Sequence, residues 1–294
     1  TSGKMLRPSL IALVTKILTE GKENYEESMQ IAYNSAVAVE LLHNMTLIHD
    51  DLIDGAPIRR GKPAYHINHG MELTVHDGDI LHAYGLTIIK HIPSLLLFIR
   101  VSYEVGIGNA IELEDRLNNN FDFDLEHVID IMRRKTAIVF AGCVQLGYLA
   151  AGLGNHFTKK LEEAIIDAGI AFQIQDDYLD FQGDPEKFGK QHLWDVQESK
   201  RNLFLYFALQ NSEKSDKLKE IYKKPIGKKN EDDIRFVLQL FNEIAPKIVQ
   251  VRDKYLKRAI ENLEQLQETT EDENELNLLD FLQMLIEYLA HREK

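Results

Sequence analysis

Apolar residues recur every three to four positions along most of this chain, and glycine (17) and proline (7) are sparse. That period belongs to amphipathic helices rather than strands, so the class is all-α. Between Pro8 and Glu20 the residues Leu10, Ile11, Val14, Ile17 and Leu18 make one stripe behind a proline suited to the first helical position. Ser28 to Asp54 predicts a long buried helix, with Ala, Val and Leu on several faces and carboxylates gathered at its end. Gly55, Pro57, Gly61 and Pro63 break the period, so GAPIRRGKPAYH reads as a loop. Further helices are predicted over Asp77–His91, over Pro93–Gly106, and from a cap at Asp122 or Asp124 through Asp130 to Ala151. Others cover Thr158–Phe181 and Lys200–Gln210, and three amphipathic stretches fill Ile234 to Glu293. GDPEKFGKQHL reads as a loop and SEKSDKLKEIYKKPIGKKNEDD as a charged surface segment.

Composition narrows the partners. With 34 Lys+Arg against 47 Asp+Glu the net charge is −13, which argues against a nucleic-acid surface. An anionic ligand must then be held by local cations or metals. At 294 residues and 44% hydrophobic content the chain can bury one large core. The apolar run Ala137–Gly154 nears the ~18 residues of a membrane span, but Gln145 at its centre and its many small residues predict a helix surrounded by other helices. The lone Cys143 excludes an internal disulfide and fits a reducing cytoplasm.

Candidate chemistry lies in two acidic rows. Asp50 and Asp54 are i, i+4 neighbours on one helix face, with Asp51 turned about 100° aside. Asp176, Asp177 and Asp180 repeat the pattern within FQIQDDYLD, on a helix whose other residues are core-like. Such rows repel themselves unless cations bridge them, and oxygen-only ligands favour Mg²⁺ over Zn²⁺. Basic residues stand where phosphates would be held: Lys4 and Arg7 at a helix start, Arg59–Arg60 in the Gly/Pro loop, Arg133–Arg134–Lys135–Thr136, and Lys190 and Lys200. The substrate suited to this set is highly anionic at one end and hydrocarbon at the other, as an isoprenoid diphosphate is. His49 next to Asp50 reads as a packing or supporting histidine, and His66, His69, His76 and His82 form no convincing ligand set.

The ordered motifs GKMLRP, ELLHNMTLIHDDLID, RRGKPAYH, DGD, KTAIVFAG, FQIQDDYLD and GKQHLWDVQESKRN make the chain resemble the trans-polyprenyl diphosphate synthases of the farnesyl and geranylgeranyl group, from Gly3 to about Asn202. The resemblance implies one domain over residues 1–294, of ten or more helices around a central cavity (the isoprenoid synthase fold), usually homodimeric; the cysteine count and the 137–154 run add the expectation of a cytoplasmic protein with no membrane span. It implies about three Mg²⁺ ions held by Asp50, Asp51, Asp54, Asp176, Asp177 and Asp180. It implies that Lys4, Arg7, His43 and Arg60 bind isopentenyl diphosphate, and that Arg59, Lys135, Lys190 and Lys200 hold the allylic diphosphate. Thr136 and Gln173 would offer oxygens to an allylic cation. Because the chain opens so near this site, part of an N-terminal helix is expected to precede it.

Two departures bear on the loop after the second row. The family's G-K-x-x-G-x-D reads here with Leu193 and Trp194 after Gln191–His192, and its G-K-x-T is Ser199–Lys200–Arg201–Asn202. Product length should follow the residues preceding Asp50, at 1.5 Å of helix rise per residue. Where fifteen-carbon synthases usually carry an aromatic, this chain has Met45 and Thr46, with Leu42 one turn deeper. A twenty-carbon product, geranylgeranyl diphosphate, is therefore expected, with farnesyl or a longer chain as the alternative. A terpene cyclase and a non-catalytic subunit of a heteromeric prenyltransferase are the rival readings.

Overall fold

The computed structural model describes residues 5–182, 194–211 and 213–290. Helix α1 (Leu6–Thr19) buries the expected stripe of Leu10, Ile11, Val14 and Leu18. Helix α2 (Tyr25–Ile53) carries the first acidic row to its last turn. It ends at Gly55, whose φ of 59° is the left-handed turn that only glycine adopts without strain. The amides of Gly55 and Ala56 return to the carbonyls of Leu52 and Asp51 at 3.3 and 2.9 Å, closing the helix and fixing where its final carboxylates point.

The segment read as a loop is more ordered than its glycines and prolines suggested. Ile58–Arg59 (β1) pairs antiparallel with Lys62–Pro63 (β2), and Arg60 and Gly61 take positive φ between them. Two consecutive positive φ values make the tight hairpin turn that matches strand twist. After α3 (Tyr65–His69), helices α4 (Met71–Ile88) and α5 (Ile92–Leu117) are both longer than their sequence stretches implied. Asp124 caps α6 (Leu125–Met132), its carboxylate accepting from the His127 amide at 2.8 Å. The expected continuous helix to Ala151 is interrupted by one π turn, Arg133–Ala137, before α7 (Ile138–Ala150). Helix α7 is buried on nearly every face, as expected of a helix among helices.

Helix α8 (Lys159–Gln182) bears the second acidic row, followed by α9 (Trp194–Gln197) and α10 (Leu203–Leu209). The charged segment proves not to be all surface: α11 (Ser215–Tyr222) buries Leu218, Ile221 and Tyr222, an i, i+3, i+4 face hidden among lysines. Nor are there three stretches at the end. Helix α12 (Glu231–Gln267) runs straight through Pro246 because Leu240, Phe241, Ile244, Ala245 and Ile248 are buried around it, which offsets the one helical bond proline cannot make. Helix α13 (Glu273–Ala290) is the last described element.

Helix α8 lies along α12, α2 along α4 and α1, and α1 against α7. One apolar cluster joins α1, α2, α5, α7 and α13. A second joins α6, α8, α10, α11 and α12 around the tilted and edge-on rings of Phe181, Phe204 and Phe241, with centroids 5.0 to 5.8 Å apart. Between them, the inner faces of α2 and α8 are left to line a cavity.

Candidate active site

The cavity measures about 250 Å³. On α2 its wall is His43, Thr46, Leu47, Asp50, Ile53 and Asp54, the i, i+3, i+4, i+7 set that forms one helix face. Facing it on α8 are Gln173, Asp176 and Asp177. The two acidic rows thus share one space although more than a hundred residues separate them. Arg7 enters from α1, Arg59 from β1, Glu112 and Arg116 from α5, Lys135 and Thr136 from the π turn, and Lys200 from the connection after α9. Leu113, Val128, Ile131 and Met132 give part of the wall an apolar surface.

The π turn explains how Lys135 and Thr136, adjacent in sequence, both reach the cavity: the extra residue in the turn rotates them off regular helical positions. Helix α5 comes close enough only because residue 108 is glycine. A Cβ there would lie 2.8 Å from Arg134 Cβ and 2.9 Å from Lys135 Cγ. Thr136 Oγ1 donates to Gln173 Oε1 at 2.7 Å, and Gln173 Nε2 donates to Asp177 at 2.9 Å. A neutral chain of dipoles therefore leads from the π turn to the second acidic row.

The carboxylates carry internal counterions. Asp51 is buried at 2% exposure, away from the cavity wall, and Arg59 grips both its oxygens, Nε lying 2.8 and 3.0 Å from them. Arg116 donates to Asp54 at 2.8 Å. Lys200 Nζ bridges Asp177 and Asp195, each at 2.9 Å. Lys135 pairs with Glu112. Burial pulls the Lys135 and Lys200 ammonium groups down, but Glu112 and Asp50 around the first and Asp177, Asp195 and Glu112 around the second hold both above the usual lysine value. Burial likewise raises the Glu112 carboxyl, and Lys135 and Lys200 outweigh it, so that group stays ionised. Burial drives Asp177 up to about 6 against the pull of Lys200.

Across the cavity, Arg7 Nη1 lies 3.3 Å from His43 Nε2, and its guanidinium stacks on Phe140. Burial first, then the fields of Arg7, Arg60 and Arg59, push the His43 imidazole down to about 3. His43 is thus a neutral acceptor for Arg7, which keeps that guanidinium directed along the wall.

Not every predicted residue reaches this space. Arg60 stands at the hairpin turn with φ 52°, outside the wall, and acts on Arg7 and His43 through its field. Asp180 also lies outside the wall. Of the length-setting residues, Thr46 lines the cavity, whereas Met45 packs against the first apolar cluster and Leu42 is 2% exposed within it. Lys4 and Lys190, and the loop expected after the second acidic row, fall outside the described residues. His49 is a packing residue: its ring fills the space over Gly78, with Nε2 3.3 Å from the Val75 carbonyl.

The departures from the family pattern acquire local reasons. Asn202 caps α10, its side chain accepting from the Leu205 amide at 3.1 Å, a role asparagine fills as well as threonine. Trp194 donates from Nε1 to the Asp54 carbonyl at 3.3 Å, tying the segment before Lys200 to the end of the first acidic row. Arg116 and Glu112 were not singled out by sequence reasoning, since neither belongs to a motif and both sit among ordinary helix-surface residues of α5.

The donor set fits hard divalent cations. Asp50, Asp54, Asp176 and Asp177 supply oxygens only, from two helices facing one space. The arginine and lysine partners show that this carboxylate density already requires positive charge. Among the described residues no tight group of three or more His, Cys, Asp or Glu side chains is preassembled, so metals would enter by exchanging with those cations.

A helical fold that brings two carboxylate rows and buried cations around one half-apolar space suits the departure of an anion from a hydrocarbon. Comparison with known proteins places it more closely. Residues 1–241 match the family model described as Polyprenyl synthetase, and the chain belongs to that family. It is 34% identical over 240 residues to the short chain isoprenyl diphosphate synthase of Methanocaldococcus jannaschii, covering 79% of this chain and 69% of that protein. Over 279 residues it is 27% identical to the geranylgeranyl diphosphate synthase of Sulfolobus acidocaldarius, covering 90% and 81%. Its fold matches a polyprenyl synthase from Caulobacter crescentus, crystallised with calcium and isoprenyl diphosphate, with a TM-score of 0.82 and 25% identity over all of this chain and 86% of that one.

Proposed function

We propose that the protein condenses isopentenyl diphosphate with an allylic diphosphate and releases geranylgeranyl diphosphate. The observation that carries this reading is the convergence of both acidic rows with Arg7, His43, Lys135 and Lys200 on one cavity. Asp50, Asp51, Asp54, Asp176, Asp177 and Asp180 are assigned to about three Mg²⁺ ions, with Asp51 contributing only when Arg59 turns from it to phosphate. Bound there, the ions would neutralise the diphosphate as it leaves. Lys135 and Lys200, with Arg59 and Lys190, hold the allylic diphosphate and favour charge building on the departing oxygens. Lys4, Arg7, His43 and Arg60 hold the second diphosphate, whose double bond attacks the allylic carbon. Thr136 and Gln173, hydrogen-bonded to each other, present dipoles to the allylic cation without a basic atom that would capture it. The proton lost at the end passes to the released diphosphate.

The outer faces of α4 and α5 support a homodimer. Met71, Ile80 and Tyr84 on one, and Ile92, Leu96 and Tyr103 on the other, are each about 60% exposed, apolar exposure of the kind a partner covers. Helix α5 is the one described helix long and apolar enough to cross a membrane, and 28% of its most apolar stretch is buried; a dimer accounts for that exposure. The unpaired, buried Cys143 is compatible with the cytoplasm.

Incubation with Mg²⁺, isopentenyl diphosphate and each allylic primer in turn tests the reading. A twenty-carbon product supports it, and fifteen carbons or more than twenty overturn the length alone. No elongation from any primer overturns the synthase assignment in favour of a non-catalytic subunit, and a cyclic hydrocarbon formed without isopentenyl diphosphate points to a cyclase.

A further inference from the structure

Lys229 has no place in the motifs, yet it is only 5% exposed in a segment rich in exposed lysines. Its Nζ donates to the Gln197 carbonyl at 2.9 Å and to Ser199 Oγ at 2.7 Å. The main chain of Lys229 is bound as well. Gln197 Nε2 donates to its carbonyl at 3.1 Å, and its amide donates to Gln197 Oε1 at 3.3 Å. Ser199 Oγ in turn donates to the Tyr222 carbonyl at 2.8 Å, so that hydroxyl is held both as acceptor and as donor.

Ser199 also has φ 65°, a left-handed conformation in which a residue with a Cβ is strained. It holds that conformation immediately before Lys200, whose ammonium spans Asp177 and Asp195 at the cavity wall. Where the related motif has glycine, this chain has a serine whose side chain is tied down from two sides. The direction in which residue 200 leaves the backbone depends on that turn.

We propose that Lys229 is a positioning residue for Lys200, bracing the left-handed Ser199 turn so that the Lys200 ammonium is presented to the cavity. This rests on the reading of Lys200 as a diphosphate-holding group. Burial, more than the nearby Arg201 charge, lowers the Lys229 ammonium to about 8, which agrees with a lysine enclosed for its hydrogen bonds rather than for an ion pair.

Single and double variants test the brace in steady-state elongation assays, with thermal melting as a control for folding. Lys229→Met is expected to lower kcat by about tenfold or more while leaving KM for isopentenyl diphosphate within about twofold, since a misplaced group costs rate steeply. Lys229→Arg, which keeps donors at that site, should recover most of the loss. The deciding measurement is the cycle with Lys200→Ala: if Lys229 acts through Lys200, adding Lys229→Met to Lys200→Ala costs almost nothing further. Full additivity, or an unchanged kcat in Lys229→Met, overturns the proposal. If Lys229→Met fails to fold, Ser199→Ala, which removes only the braced hydroxyl, must show the same non-additivity with Lys200→Ala or the proposal fails. An unchanged rate in Lys200→Ala alone would instead sink the assigned role of Lys200, and the two failures are thereby told apart.

Discussion

The two acidic rows have the same spelling, Asp-Asp-x-x-Asp, and both end a helix, where the dipole opposes carboxylates. Their compensation differs. The first row is met by guanidinium groups from separate elements: Arg59 of the hairpin takes both oxygens of Asp51, and Arg116 of α5 takes Asp54. In the second, Asp177 shares the ammonium of Lys200 with Asp195. Fixed forks suit a row that keeps its shape, whereas a point charge on a flexible stem can follow a ligand. In the ligand-free protein the first row is clamped by guanidinium forks, of which Arg59 must turn away before Asp51 can serve, while Asp177 of the second is held by a charge that can move with its ligand.

Several experiments would break or sharpen that contrast. The largest effect is expected from Asp50→Ala and Asp176→Ala, the wall carboxylates of the two rows. Each should lower kcat by at least about 10²- to 10³-fold, the range seen when a group aimed at transition-state charge is removed. A loss confined to one of them would show that only one row serves the chemistry. Lys135→Ala comes next, since it removes the cation between Glu112 and Asp50; a loss of about a hundredfold in kcat/KM for the allylic substrate is expected. A change seen only in KM for isopentenyl diphosphate would move Lys135 to the other subsite.

Thr46→Phe places a ring on the cavity face of α2 and should shift product toward fifteen carbons, read by chain-length analysis of extracted prenols. Met45→Phe and Leu42→Ala, on residues packed in the apolar cluster, should shorten and lengthen the product respectively. If only Thr46→Phe acts, the measure of length lies on the cavity face alone.

A smaller effect is expected from Arg116→Met. Arg116 and Asp54 are only partly buried, so their pairing is worth about 0.2–1 kcal/mol. Freeing Asp54 should lower the half-saturating metal concentration by no more than about fivefold, whereas a rise would mean that Arg116 itself holds ligand. The last prediction concerns stability against pH rather than turnover. His43 has a folded value of about 3 against an ordinary 6.5. The unfolded chain therefore takes up a proton first, and the stability this neutral ring contributes is complete above pH 6.5 and declines as pH falls toward 3. His43→Asn should flatten that part of the melting-temperature profile; an unchanged slope would mean that the ring is protonated in the fold.

Much of this was legible in the chain. The 3.6-residue period located the long helices as far as α8, and the spacing of Asp50, Asp54, Asp176 and Asp177 in apolar helices pointed to a shared space. What was not legible depended on partners distant in sequence. Nothing near Asp51 announces that Arg59 will fold back onto it through a hairpin. The π turn leaves no periodic trace, because five residues are too few to shift an apolar stripe. Leu218, Ile221 and Tyr222 were masked by the lysines around them, and the stretches expected after Ile234 run together because buried neighbours carry α12 through Pro246. Asn202 and Trp194 looked like departures from a motif until their hydrogen bonds showed one to be a helix cap and the other a tie to Asp54.

The clasp between Arg59 and Asp51 has a consequence for how the enzyme matures. A protein whose carboxylates wait for metal ions would be half-built without them, and chelation would unfold it. Here arginine and lysine stand in as resident counterions, so the scaffold can be completed before any divalent ion arrives. If metal binds only together with diphosphate, chelator should halt turnover while leaving the melting temperature of the ligand-free enzyme almost where it was.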